Sequence, residues 1–159
     1  MKNTFLFITV LLTALSAGFF LAWSVSVILG TKKVGDFTYL ETMQSINKEI
    51  LNPIFFIVFF GSLICLITCT FLQWNSKAMF WFVLASTLIY LIGNFAVTAF
   101  GNVPLNNELE ALNLTKLEGV KLHKFRLYYE SKWNAFHNIR TIAGLISFIL
   151  LLISLFIKK

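Results

Sequence analysis

Charged residues are scarce in this chain. Only 13% of its 159 residues are charged, whereas a soluble domain carries about 25%. Hydrophobic residues make up 58% of the chain, and the mean hydropathy is +0.80. This composition indicates an integral membrane protein. The basic residues, which give a formal net charge of +6, form no dense patch, so nucleic acid is not expected as a partner.

Charge is missing altogether from four apolar runs, which cover residues 5–29, 53–72, 78–100 and 142–157. A helix needs about 20 residues to cross the hydrocarbon core of a bilayer, and the segment before the fourth run can extend it to that length. The runs lack the alternation of barrel strands, so helices are the structures that satisfy their backbone in lipid. We predict a single domain over residues 1–159, with spans at about 5–29, 53–72, 78–100 and 139–157.

Acidic residues are confined to one side of these spans. All seven lie between the first and second spans or between the third and fourth, whereas the other side carries Lys2, Lys77, Lys158 and Lys159. The two long connecting segments contain more Lys and Arg by number, but they are far longer, so the lysine density of the other side is comparable. We expect cytoplasmic termini in a multi-pass protein of the cell membrane. A cleaved signal peptide is not expected, because the first apolar run is longer than a signal core.

Cysteine and proline are also rare, with two of each. Cys65 and Cys69 are four residues apart in one predicted helix, too far apart for a disulfide, so we interpret them as packing residues. No set of three His, Cys or carboxylate groups has ligand spacing, so no metal is expected. Pro53 is expected to bend the chain or to open the second span.

Capping patterns predict helices in the two long connecting segments. Thr38 and Glu41 form a capping box, which predicts a helix from residue 39 to about 51. Thr115 begins a second pattern of this kind, and from residue 121 the chain can continue as one helix into the last span. The predicted fold class is therefore all-α: a four-helix transmembrane bundle with an extra amphipathic helix between the first and second spans.

A polar and aromatic stripe precedes the fourth apolar run. Tyr129, Trp133, His137 and Arg140 fall on one face of a helix that turns 100° per residue. The stripe is either an interfacial anchor, since aromatic and basic side chains favour the headgroup level, or a functional site, since ionisable residues at membrane depth usually have a role. We expect Arg140 to point inward and to bond a loop carboxylate or an Asn of the segment NVPLNN.

Other polar residues are expected at the same end of the bundle. Asn94 interrupts the third span, where an unpaired amide is costly, and it is open to either interhelical packing or a site role. Trp23 in the first span is placed to wall a pocket.

The segment GNVPLNNEL, residues 101–109, follows the third span. Gly101 and Pro104 are expected to end that helix, and Asn106 or Asn107 to cap a short one. Whichever of Asn106 and Asn107 is not the cap is then free to face a cavity, as is Asn102.

These segments resemble the anthrone-oxygenase-like family of small four-helix membrane proteins over nearly the whole chain. The resemblance is carried by SAGFFLAWSVSV (16–27), YLETMQSINKEILNPIF (39–55), GNVPLNNEL (101–109) and WNAFHNIRT (133–141). The matching positions are Gln44, Asn47, Asn102, Pro104, Asn106, Trp133 and Arg140. His137 stands where Asn is common in the family.

The resemblance implies that an anthrone is oxidised to a quinone by dioxygen without a metal or other cofactor. Such chemistry needs a base and a group that stabilises an oxyanion. The hypothesis assigns the roles as follows: His137 is the base; Asn47, Asn106 or Arg140 stabilises the enolate oxygen; and Trp23, Gln44, Asn94, Asn102, Tyr129 and Trp133 bind the substrate.

The alternative is a non-enzymatic membrane protein that binds a lipid, a quinone or a partner membrane protein. Arg140 would then contact a phosphate or carboxylate. A transporter is less expected, because neither repeats nor broken helices are evident. In each case the partners are the lipid bilayer and a lipophilic small molecule, and the oligomeric state stays open.

Overall fold

The computed structural model describes residues 2–157, without the side chain of Lys77. This part of the chain is all-helical, and four of its helices are long and apolar enough to cross a membrane. They are α1 (Lys2–Thr31), α3 (Pro53–Leu72), α4 (Ala78–Glu110) and α5 (Gly119–Ser154). The shorter α2 (Asp36–Glu49) lies between α1 and α3. The predicted all-α bundle is confirmed. Lys158 and Lys159, which were used to predict the orientation in the membrane, lie outside the described residues.

Three of the four long helices exceed the thickness of a bilayer core. At about 1.5 Å per residue, the 36 residues of α5 reach about 54 Å, against about 30 Å of hydrocarbon. The C-terminal ends of α1 and α4 and the N-terminal part of α5 therefore extend beyond it at one end. There α2 packs on them, and we call this end the head.

Each end of the bundle has its own apolar core. The core of the head includes Leu40, Leu109 and Tyr129, and the core of the membrane part includes Leu66 and Leu151. All five of these side chains are completely buried. The head is therefore a packed part of the fold rather than a pair of loose connecting loops.

Arg126 joins the start of α2 to α5. Its guanidinium donates to the carboxylates of Asp36 at 3.0 Å and Glu130 at 3.1 Å, and to the carbonyl oxygen of Val34 at 2.6 Å. His123 bonds the other carboxylate oxygen of Asp36 at 2.9 Å. The hydrogen bond from His123, with a smaller one from Arg126, holds the pKa of Asp36 below its ordinary value of 3.8 despite the opposing effect of desolvation.

Both predicted capping boxes are wrong. The helix α2 begins at Asp36 with Gly35 in an extended conformation before it, so Thr38 lies within the helix. Thr115 lies in a 3-10 turn and donates to Asn113 at 2.7 Å. At the start of α2 a tertiary contact takes the place of the predicted cap, because Arg126 of α5 pairs with Asp36. Such contacts override the local capping preference.

Pro53 opens α3, one of the two expected outcomes. It occupies the first turn, where a missing N–H costs nothing. The preceding Asn52 is the cap, and its side chain accepts a hydrogen bond from the backbone N–H of Phe55 at 3.0 Å.

The expected end of the third helix near Gly101 and Pro104 is wrong, because α4 continues to Glu110. Two π-helical stretches, Tyr90–Ala96 and Thr98–Asn102, precede the proline. Gly101 serves close packing instead, since a Cβ there would lie 2.8 Å from the ring of Phe136. The expected cap is also wrong, because α4 runs on from Asn102 into Val103–Glu110 with no side-chain cap.

Candidate functional site

A cavity of about 320 Å³ lies where the head meets the membrane part of the bundle. This volume falls within the range of small-molecule sites, about 300–1,000 Å³. All five helices contribute to its wall. Seven residues singled out from the sequence line it: Trp23, Asn47, Asn102, Asn106, Trp133, His137 and Arg140.

Asn107, one of the two amides of which one was expected to face a cavity, lines it too. The sequence reasoning missed the rest of the wall, which consists of Phe19, Phe20, Ile46, Lys48, Ile50, Leu51, Phe55, Thr98, Val103 and Glu110. Most are apolar, and nothing in an apolar run distinguishes a cavity-facing Phe from a lipid-facing one. Thr98 was detectable, because it lies four residues after Asn94 on the same helix face. At the mouth Lys48 and Glu110 form an ion pair of 2.9 Å.

Arg140 is the central polar group of the cavity. Its side chain is 7% exposed and lies between the rings of Phe20 and Trp133, with the guanidinium carbon 4.8 and 4.9 Å from the ring centres. Its Nε and Nη2 donate to Nδ1 of His137 at 3.3 and 3.2 Å, and its Nη1 donates to Thr98 at 3.5 Å. It points inward as expected, but these partners replace the loop carboxylate or Asn that was predicted.

No carboxylate pairs with Arg140 anywhere in the described residues 2–157. Three of its five N–H donors are used. Burying a cation without an anion is costly, because the charge loses its hydration. The wall of the cavity therefore holds an uncompensated positive charge that is stabilised only by two aromatic faces and neutral acceptors. An anionic oxygen in the cavity would complete its coordination.

His137 is completely buried and has both ring nitrogens in hydrogen bonds. Nδ1 accepts from Arg140, and Nε2 lies 2.9 Å from Oγ of Ser24 and 3.3 Å from Oγ1 of Thr141. The hydroxyls of Ser24 and Thr141 already donate to backbone carbonyls, so they accept from Nε2. A neutral imidazole with its proton on Nε2 satisfies every one of these contacts.

A second hydrogen-bonded chain supports the cavity from the side of the head. Asn47 donates to the hydroxyl of Tyr129 at 3.2 Å, and that hydroxyl donates to Oδ1 of Asn106 at 3.1 Å. The same Oδ1 accepts from Nε1 of Trp133 at 2.9 Å. The ring of Trp133 stacks on His137 with centres 5.2 Å apart. This chain fixes the rotamers of Asn47, Asn106 and Trp133.

Three residues expected to bind substrate do not line the cavity. Tyr129 lies behind the wall and holds two of the lining amides. Gln44 donates to the carbonyls of Leu109 and Leu112 at 2.8 and 3.1 Å, which fastens α2 to the segment after α4. Asn94 donates to the carbonyl of Arg140 at 3.2 Å. They position the elements that carry the lining residues.

Widened helical turns coincide with the lining residues. The π-helical stretch Trp23–Val27 of α1 carries Trp23 and Ser24, and Thr98–Asn102 of α4 carries the polar residues at its two ends. A π turn takes more residues than an α turn and often occurs at a functional site. Both of these residues contact α5: Thr98 accepts from Arg140, and Asn102 donates to the carbonyl of Trp133.

The described residues contain no group of three or more His, Cys, Asp or Glu arranged to hold a metal ion. In the same part of the chain His137 has no hydrogen bond to a carboxylate, and four acidic residues of the head, Asp36, Glu110, Glu118 and Glu130, are in ion pairs with Arg126, Lys48 or Lys121. The polar side chains of the cavity are amides, a guanidinium, an imidazole, the hydroxyl of Thr98, two indoles and, at the mouth, Lys48 and Glu110.

The sequence model of one protein family matches the chain over residues 43–150, and its description is anthrone oxygenase. The chain belongs to the anthrone oxygenase family. The matched region contains every predicted site residue except Trp23. No curated protein and no solved structure gives a significant match.

Proposed function

We propose that this member of the anthrone oxygenase family is an oxygenase that binds the enolate of a flat, lipophilic aromatic ketone and lets it react with dioxygen. The observation that carries the proposal is the unpaired guanidinium of Arg140, held between two aromatic rings in the cavity wall. An enolate supplies the missing negative charge. Preorganised donors of this kind stabilise an oxyanion most strongly in a site that excludes water.

The walls suit a flat lipophilic ligand. Phe19, Phe55 and Trp23 line the cavity with aromatic surface, and aliphatic residues such as Leu51 and Val103 continue it. Leu51 and Val103 are also exposed, at 66% and 41%. Apolar side chains at the mouth favour entry of a substrate that is dissolved in the bilayer.

The proposed reaction converts a CH₂ group flanked by aromatic rings into a carbonyl. Binding of the enolate to Arg140 releases a C–H proton to water. The carbanion gives an electron to dioxygen, and the two radicals combine into a peroxide anion on the same carbon. Protonation gives a hydroperoxide, which loses the second C–H proton and hydroxide. One CH₂ and one O₂ thus yield one C=O and one H₂O, and the protein supplies no electrons.

The hydrogen bonds of His137 bear on its role in this scheme. Its Nδ1 lone pair is occupied by Arg140, and a protonated imidazole would place a second cation beside the guanidinium. We therefore propose that His137 orients Arg140, in place of the role as base that the resemblance suggests. The substrate then loses its proton to water at the mouth of the cavity. The acidity of the bound substrate therefore determines the rate of the reaction.

The proposal is tested by supplying anthrone under air to the purified protein in detergent and following the absorbance of the quinone. The rate without protein is subtracted, because anthrones oxidise slowly on their own. We expect turnover by the wild type and a loss of about 100-fold in Arg140→Leu. Lys132→Leu, which removes an exposed cation from the same helix, is the matched control and should turn over normally.

Absence of turnover in the wild type would refute the oxygenase. If the same preparation then retained an anionic lipid, and Arg140→Leu lost it, the chain would be the lipid-binding protein of the alternative hypothesis.

A further inference from the structure

Asn102 carries an unsatisfied acceptor in the wall of the cavity. Its side chain is 1% exposed, and Nδ2 donates to the carbonyl oxygen of Trp133 at 3.2 Å. A carbonyl can bond only the amide nitrogen, so this contact fixes which end of the amide is Oδ1. Oδ1 has no hydrogen-bond partner in the described part of the chain.

The neighbouring donor cannot fill this gap. Thr98, one turn before Asn102, uses its only hydroxyl proton on the carbonyl of Asn94 at 2.8 Å. A buried acceptor without a donor costs more free energy than an ordinary hydrogen bond contributes. Because Asn102 lines the cavity, a ligand can supply the donor.

The position of this acceptor relative to Arg140 follows from α4. Thr98 contacts the guanidinium, and Asn102 is four residues further along the same helix. The two side chains are thus separated by about one helical turn along α4, roughly 5 Å, which is about the width of an aromatic ring. A ligand whose oxygen meets Arg140 therefore presents the next edge of its ring system to Asn102.

We propose that Asn102 determines the specificity of the cavity by accepting a hydrogen bond from a hydroxyl or amine on the ligand, about one ring width from the oxygen that Arg140 holds. The inference rests on the proposed function in taking a flat aromatic ketone as the ligand. Ligands without the donor leave Oδ1 unpaired and bind more weakly.

The test compares two quinones of equal size, 2-aminoanthraquinone and 2-methylanthraquinone, by their quenching of tryptophan fluorescence. Neither is oxidised further at a CH₂ of the ring system, so binding is measured apart from turnover. We expect the wild type to bind the amino compound about 10- to 100-fold more tightly. Asn102→Leu and the smaller Asn102→Ala should lose this preference, and Asn138→Leu, on the outer face of α5, should keep it.

Equal dissociation constants in the wild type would overturn the inference. So would failure of both quinones to bind, or a preference that persists in a folded Asn102 variant. If the wild type oxidises anthrone but does not prefer the amino compound, the role of Asn102 is refuted and the oxygenase is not. A measured preference without any turnover would refute the oxygenase and leave the role of Asn102 intact.

Discussion

Arg140 shows how far residue spacing predicts a site. The interval from Trp133 through His137 to Arg140 places the three on one helix face, and that face does line the cavity. The partner of Arg140 could not be read in the same way. The head carboxylates Asp36 and Glu130 belong to Arg126, a competition that depends on tertiary structure. Arg140 instead bonds an acceptor on its own helix.

The role of His137 gives a prediction at this scale. His137→Asn places an amide oxygen near the position of Nδ1, so it keeps an acceptor for Arg140, and we expect most of the oxygenase activity to remain. His137→Leu removes the acceptor and should reduce the rate about tenfold or more, because the guanidinium loses its fixed orientation. Initial rates of quinone formation across a pH series are the measurement.

The two roles of His137 differ in the pH profile. If His137 orients Arg140, the profile of His137→Asn follows that of the wild type, since both report the acidity of the substrate. If His137 is the base, His137→Asn should reduce the rate of quinone formation about 100-fold or more. The pH dependence that comes from titration of the imidazole should disappear as well. Such a loss would return His137 to the role of base.

At the scale of elements, the helices were predictable where hydrophobicity decides them. All four runs became helices, since the backbone in lipid has few other solutions. Local sequence signals gave the wrong helix ends where tertiary packing determines the ends. Gly101 and Pro104 are typical of a helix end, yet α4 continues through both, and Gly101 instead makes room for Phe136. The π-helical turns that orient Thr98 and Asn102 have no signature in a single sequence.

The contact between α4 and α5 depends on another glycine. A Cβ on Gly93 would overlap that of Ala143, so Gly93→Ala must push the two helices apart. We expect a loss of about 1–3 kcal/mol of stability, seen as a lower unfolding temperature in detergent. Gly18→Ala is the control, because nothing lies within 4 Å of a Cβ there and alanine favours a helix. Equal unfolding temperatures would contradict this packing.

At the scale of the whole molecule, the head and the membrane part meet at the cavity. The sequence predicted the membrane spans, an extra helix and a last helix that begins near residue 121 outside the membrane. It did not predict that α1 and α4 also extend beyond the hydrocarbon, or that the extended ends enclose a second core. That arrangement depends on contacts between distant segments, such as the one from Arg126 to Asp36. Stability of the head should therefore respond to the charge of Asp36.

Acidification tests this link. The pKa of Asp36 is lowered by its hydrogen bonds to His123 and Arg126, so the carboxylate contributes stability above its ordinary pKa and loses it as the pH falls through the lowered value. Below pH 3.8 the unfolding temperature of the wild type should fall more steeply than that of Asp36→Asn, which has no carboxylate to protonate. Parallel curves for the two proteins would show that Asp36 does not stabilise the head.

The central claim is that Arg140 holds an enolate in the cavity, and it can be observed before any oxygen reacts. Anthrone is mixed with the protein under nitrogen, at a pH where the free compound is in its neutral keto form, and the absorption spectrum is recorded. The account predicts that the enolate band appears with the wild type, is absent with Arg140→Leu, and decays into the quinone spectrum when air is admitted. A bound ligand that keeps the spectrum of the neutral ketone, or an enolate band of equal strength in Arg140→Leu, would contradict it.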